Sequence, residues 1–226
     1  MPINMKRQFL FINLIILAVA LSLSCTRTKV SYWENGNKKS EINYRNGKID
    51  GKAIWFYEDG NKYYQANYND EKLEGELVKW YSNGLLQSRE HYENDMLNGK
   101  SEYYNEKGRK TEEVYYVNDT IHGDYRAWYD DRKIRIEGQY VYGMMDGKWF
   151  YWDEYGILIG EGDYNMGKGV QRKYNRDGDL IGKLSFKDNE KHGKEVYYNT
   201  EGEVVKEVVY DNGEFVSEKE INPLNE

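Results

Sequence analysis

The chain is poor in the residues on which most catalytic and disulfide-stapled architectures depend. Its 226 residues include one cysteine, two prolines and three histidines. A single cysteine, Cys25, excludes an intramolecular disulfide and any paired-thiol metal site. Pro2 and Pro223 lie near the ends, so nothing between them removes a backbone donor from a β-ladder. No basic block exists: 32 Lys+Arg are interspersed with 39 Asp+Glu, for a net charge of −7. Nucleic-acid binding rests on neutralising phosphates, and this balance argues against it. It argues equally against an electrostatic membrane patch. Aliphatic residues are sparse, and the apolar positions keep no sustained helical period.

Aromatic residues are abundant instead: 23 Tyr, 6 Trp and 6 Phe. That is too aromatic for a disordered chain, and these residues favour strands. The first segment stands apart. Lys6 and Arg7 precede an apolar run from Phe9 to Leu23, which ends at Ser24-Cys25. The run is about 15 residues, short of the roughly 20 needed to span a bilayer. The arrangement resembles a bacterial lipoprotein signal peptide. Ser22 stands where that family usually has Leu, and Ala18–Ala20 offers an ordinary cleavage site as the alternative. The resemblance implies a signal peptide over 1–24, lipidation of Cys25 and a lipid-anchored linker over 25–30. It also implies a cell-envelope protein. Thr26 follows the cysteine without an acidic retention signal, which points to the periplasmic side of the outer membrane.

The rest of the chain is periodic. Gly51, Gly75, Gly99, Gly123, Gly147, Gly169 and Gly193 are spaced by 24 residues, except for one step of 22. Nine residues after each comes a second glycine, with Arg132 the one exception. An aromatic recurs five residues after the first glycine, from Phe56 to Tyr198, and another seventeen after it, from Tyr68 to Tyr210. Each unit reads as two strands joined by a tight Asp-Gly or Asn-Gly turn, followed by a longer polar connection such as "NDEKLE". About eight units, the first partial, fill residues 31–216, with a polar tail over 217–226. The predicted fold is all-β: an elongated single-layer antiparallel sheet of tandem ~24-residue β-hairpin repeats, with 15 or 16 strands. Such a sheet would be about 70–75 Å long at about 4.8 Å per strand. Recurrent aromatics would stack as ladders across it.

The stretches "NGKIDGKAIWFYEDG", "EKHGKEVYYNTEG" and "YDNGEF" resemble the bacterial variant of the MORN repeat. The likeness covers about residues 30–216. Proteins with these repeats are grouped with the YwqK-type antitoxins, which implies binding and neutralising a partner. More generally it implies a sheet acting as an interaction scaffold. The export signal departs from a plain cytosolic member.

No residue pattern specifies a reaction. His122 and His192 each precede a repeat glycine, and His91 sits beside a recurrent tyrosine, so they read as loop or repeat residues rather than catalytic or metal-binding groups. Glu41, Glu113, Glu137, Glu161 and Glu207 share one register and read as a solvated charged face. No catalytic residue, metal site or cofactor is assigned. The residues left over by the period are aromatic: Trp149, Phe150 and Tyr151 beside the one shortened unit, and Trp55. They form the candidate binding surface. The expectation is a non-enzymatic, monomeric envelope lipoprotein that binds a protein or glycan and touches the membrane only through its lipid. The alternatives are an antitoxin that neutralises a toxin by direct binding and, last, a glycan-active enzyme.

Overall fold

A computed structural model describes residues 26–222. The apolar leader, the lipidation candidate Cys25 and the end of the polar tail lie outside the described residues. Between them runs one antiparallel sheet of nineteen strands, β1 (Thr26–Tyr32) to β19 (Glu214–Glu220), each paired with its neighbour in sequence except at two places. Strands β5 (Lys72–Leu73) and β6 (Gly75–Trp80) both pair with β4 (Lys62–Asn69). Strands β8 (Met96–Leu97) and β9 (Gly99–Tyr104) share β7 (Leu86–Glu93) in the same way. Each of these two pairs is one interrupted lane. The linker expected over 25–30 is instead strand from Thr26 onward, because β1 pairs along its whole length with β2 (Lys38–Arg45). The tail expected from 217 is strand as far as Glu220.

Two kinds of turn alternate. In the first, exemplified by Tyr57–Asn61, Gly60 N–H donates to Tyr57 O at 3.0 Å and Asn61 N–H donates to the Asp59 side chain at 2.9 Å. Gly60 takes φ +92°, which closes the hairpin without a Cβ clash. Arg132, which breaks the glycine register, adopts the same left-handed backbone (φ 72°) and donates to Tyr129 O.

The second kind, where the sequence predicts a longer polar connection, is a two-residue turn. Asn46-Gly47, Asp70-Glu71, Asn94-Asp95, Asn118-Asp119, Tyr142-Gly143, Met166-Gly167, Asp188-Asn189 and Asn212-Gly213 all have positive φ at both positions. That is the geometry that matches the strand twist. The chain resumes as strand straight after it. The repeat glycines are therefore bulges within strands, with φ between +67° and +112° at Gly51, Gly75, Gly99, Gly123, Gly147 and Gly193. His122 and His192 lie in β11 (Thr120–Trp128) and β17 (Glu190–Tyr198), not in loops.

Along both long sides, turns are bonded to their neighbours. On one side Glu71 N–H donates to Ile49 O (2.8 Å), Asp95 to Leu73 (3.0 Å), Asp119 to Leu97 (2.9 Å) and Gly143 to Ile121 (2.8 Å). On the other, Trp33 Nε1–H reaches Phe56 O (3.1 Å), and the hydroxyls of Tyr57, Tyr81 and Tyr129 reach the carbonyls of Trp80, Tyr104 and Trp152 (2.7–2.8 Å). Neighbour-to-neighbour bonding of this kind stabilises a repeat array unit by unit.

The recurrent aromatics do not stack directly on one another as a rule. Equivalent residues stand two lanes apart, roughly 10 Å, and other side chains fill the gap. Lys62 Nζ lies 5.3 Å from the centre of the Trp80 ring, and Lys110 Nζ lies 5.9 and 5.5 Å from those of Tyr104 and Trp128. Direct edge contact occurs at Tyr164 and Phe186, 5.5 Å apart.

Candidate binding surface

Strand alternation decides which aromatics share a face. In β13 (Met144–Trp152), Trp149 and Tyr151 project to one face and Phe150 and Trp152 to the other. The run Trp149–Trp152 is therefore split two and two. Trp149 is only 2% exposed. It forms a core with Met145 and Tyr164, against which Tyr125, Ile136, Tyr140, Tyr151 and Phe186 pack. Its indole N–H donates to Gln139 O at 3.2 Å, and Tyr140 meets it edge-on at 4.9 Å. Burial pushes the phenols of Tyr140 (up to about 12) and Tyr151 upward, so both stay neutral.

Phe150 sits on the opposite face, 5.9 Å from Trp152. Trp55 lies in β3 (Lys48–Phe56), edge-on to Tyr64 at 4.8 Å. It stands eight lanes from Trp149, roughly 38 Å at about 4.8 Å per lane. Trp149, Phe150, Tyr151 and Trp55 are thus not one surface. The surplus at 149 is core, admitted by a neighbour: a Cβ on Gly138 would stand 2.1 Å from Trp149 Cδ2. Gly162 makes the same room for the Tyr164 ring.

The glutamates of the shared register are held in ion pairs. Lys38 meets Glu41 at 2.8 Å, Lys110 meets Glu113 at 2.8 Å, Arg126 meets Glu137 at 2.8 Å, and Lys194 meets Glu207 at 2.9 Å. Glu102 joins this network through Lys110 and Lys100, at 2.6 and 2.9 Å. Among the described residues no cluster of His, Cys, Asp or Glu is arranged to hold a metal ion. His122 serves the fold. Its Nδ1 accepts the Tyr142 N–H at 3.3 Å, as the Asp146 carboxylate accepts the Met166 N–H at 3.0 Å one unit on.

A scan against family models matches the MORN repeat variant at residues 28–46, 49–70, 73–94 and 191–212. These four segments are MORN repeats. Three of the matched segments run from one two-residue turn to the next, and the fourth, 28–46, begins within β1 and ends at such a turn, so the repeat boundary falls at the tip. The unmatched centre keeps the same hairpins, and it holds the departures from the MORN pattern: Arg132 in a glycine place, the Trp149–Gly138 core and the shortened unit. No curated protein matches the chain.

The shortened unit lacks two residues after its tip, and β15 (Lys168–Tyr174) pairs with β14 (Leu158–Asn165) without a register shift. Asn189 spans the resulting step. Its Oδ1 accepts the Met145 N–H at 2.8 Å and its Nδ2 donates to Gly143 O at 2.7 Å.

The most unusual surface residues lie at this same place. Six of the eight two-residue tips begin with Asn or Asp, which tolerate left-handed backbone through local side-chain bonding. The other two begin with Tyr142 (φ 47°) and Met166 (φ 48°). A bulky residue in that conformation costs about 1–2 kcal/mol. Neither side chain recovers this by burial: Tyr142 is 66% exposed and Met166 46%. Tyr142 rests on the His122 ring at 4.7 Å. The two tips are successive, roughly 10 Å apart. A reading of the repeat for surplus aromatics misses this pair. Its signal in the sequence is Tyr-Gly and Met-Gly in a column of Asn-Gly and Asp-containing turns.

Proposed function

We propose that the protein is a non-enzymatic scaffold of the cell envelope that docks a protein partner on its MORN tip column through Tyr142 and Met166. The observation that carries this reading is the pair of exposed, bulky side chains held in left-handed backbone on successive tips. Neither side chain is buried, the contact of Tyr142 with the His122 ring is a surface one, and strained residues persist chiefly where function uses them. Tyr and Met are also favoured at the centres of protein interfaces. A glycan platform is less well supported, because its principal indole, Trp149, is in the core.

The leader with Lys6-Arg7, the apolar run and Cys25 supports export and anchoring by a lipid on Cys25, with the sheet on the periplasmic side of the outer membrane. A second reading, a YwqK-type antitoxin that neutralises a toxin, draws on the acidic tips Asp70-Glu71, Asp95 and Asp119, which suit a basic partner. Rescue of a toxin-expressing host would distinguish it.

The test is affinity capture from the native envelope, comparing wild type with Tyr142→Asn/Met166→Asn. A partner retained by wild type and lost from the double variant supports the reading. Equal recovery by both overturns it.

A further inference from the structure

The two ends of the sheet are complementary. Among the described residues nothing pairs with the outer edge of β1 or of β19, and all seven residues of each strand are exposed. An open edge presents unpaired N–H and C=O groups to any matching strand. The edge of β1 carries Arg27 and Lys29 and no acid; β19 carries Glu214, Glu218 and Glu220 against one Lys219, with Lys206 of the adjoining strand shared between Glu218 and Glu220 at 2.9 and 3.2 Å, so the end stays acidic.

The charges also fall in register. Following the pairings from lane to lane, Lys29 opposes Ile42 at one end of the sheet's middle row. Val208 and Glu218 close the same row on the same face at the other end. In the adjacent row, Arg27 pairs with Tyr44 at the head, and Tyr210 pairs with Phe215 at the tail. With β5/β6 and β8/β9 each counted as one lane, the number of lanes is odd, so β1 and β19 run in the same direction.

We infer that copies of this chain join head to tail, β1 of one against β19 of the next, extending the sheet with parallel pairing at the junction. The lateral spacing of about 4.8 Å then sets Lys29 beside Glu218 and Arg27 beside Phe215, on a face the two copies share. The alternatives are disfavoured by charge: β1 against β1 opposes Arg and Lys to themselves, and β19 against β19 opposes glutamates. Edge charges that served only to block association would not need opposite signs at the two ends. The contact is heterologous and does not close on itself, so the product is an open row of sheets rather than a fixed dimer. This goes beyond the docking role of Tyr142 and Met166 and replaces the reading of the chain as a monomer.

The test uses the full-length chain in mild detergent, mixing ¹⁴N and ¹⁵N preparations and treating them with a zero-length carbodiimide that joins amines to carboxylates. The expected result is a mixed-isotope peptide linking Lys29 to Glu218, with a mass that rises with concentration. Lys29→Glu and Glu218→Lys should each weaken association at least tenfold while leaving the β circular-dichroism spectrum unchanged. Combining the two reversals in one chain, or mixing the two single variants, should restore it. A mass that stays at one copy at every concentration overturns the inference. So do mixed peptides that join β19 to β19.

Discussion

The indole of Trp149 occupies the space in which a side chain on Gly138 would have to stand, 2.1 Å from the position of an added Cβ. The two residues face each other across adjacent lanes, since Glu137 pairs with Phe150 one step away. A large ring on one strand and none on the next is how a single layer makes a core without a second layer.

Gly138→Ala should therefore expel or tilt the indole. The expected loss is about 1–3 kcal/mol, the usual cost of overpacking a filled site. Thermal denaturation measures it, and Trp fluorescence should shift to the red as Trp149 gains water. Unchanged stability and emission would show that the ring has another place to go.

Tyr142→Asn should stabilise the protein by about 1 kcal/mol, because Asn accepts left-handed backbone at much lower cost than Tyr. The His122 contact at 4.7 Å is lost, but it is exposed and contributes less. A higher urea midpoint at constant slope is the expected outcome. Met166→Asn should behave alike. A destabilised variant would mean that Tyr142 serves the fold, and the docking reading would lose its support.

Tyr81→Phe removes one hydroxyl that bonds the Tyr104 carbonyl at 2.7 Å. The expected cost is about 0.5–1.5 kcal/mol. The effect should be local, because the bond joins only neighbouring units. Hydrogen exchange should quicken near residues 81–85 and 104–109 and stay unchanged beyond Gly147.

Stability should fall in acid through the Glu102 network. Burial pushes the Glu102 carboxyl up, but hydrogen bonds from Lys110 and Lys100 outweigh it and hold the group at about 2, against 4.5 ordinarily. A carboxylate whose folded value is depressed contributes stability above its unfolded value and loses it as pH falls toward the folded one. The window is thus pH 4.5 down to about 2. The pH dependence of the melting temperature should flatten there in Glu102→Gln, measured against wild type at the same ionic strength.

Much of this fold is legible in the sequence, and the limits have physical causes. Glycines such as Gly60 and Gly84 announce the first turn because a positive φ there strongly favours them. The second turn is hidden because Asp70-Glu71 and Asn94-Asp95 make it without glycine, so the chain around them reads as a longer loop. Which face each aromatic takes depends on one-residue register shifts beside the first turns, as at Trp55/Phe56 and Lys79/Trp80, because one extra residue reverses the alternation, whereas the two extra residues at Gly51 and its equivalents keep it. The burial of Trp149 is unreadable for the same reason: it depends on Gly138, eleven residues away, and they meet only when the register is known. Tyr142 and Met166 escape a search for excess aromatics because such a search weighs side chains, whereas their oddity lies in the backbone they must adopt.

The central claim is that this tip pair, and not the sheet faces, engages the partner. Its most direct test is a photo-crosslinking scan in the native envelope, with the photoreactive residue placed in turn at the first position of each of the eight tips and at Phe150 and Trp55. The predicted profile is a discrete adduct at 142 and 166 that fades toward Asn46 and Asn212 and is absent at Phe150 and Trp55. A flat profile, or one that peaks at Phe150 or Trp55, would contradict the account.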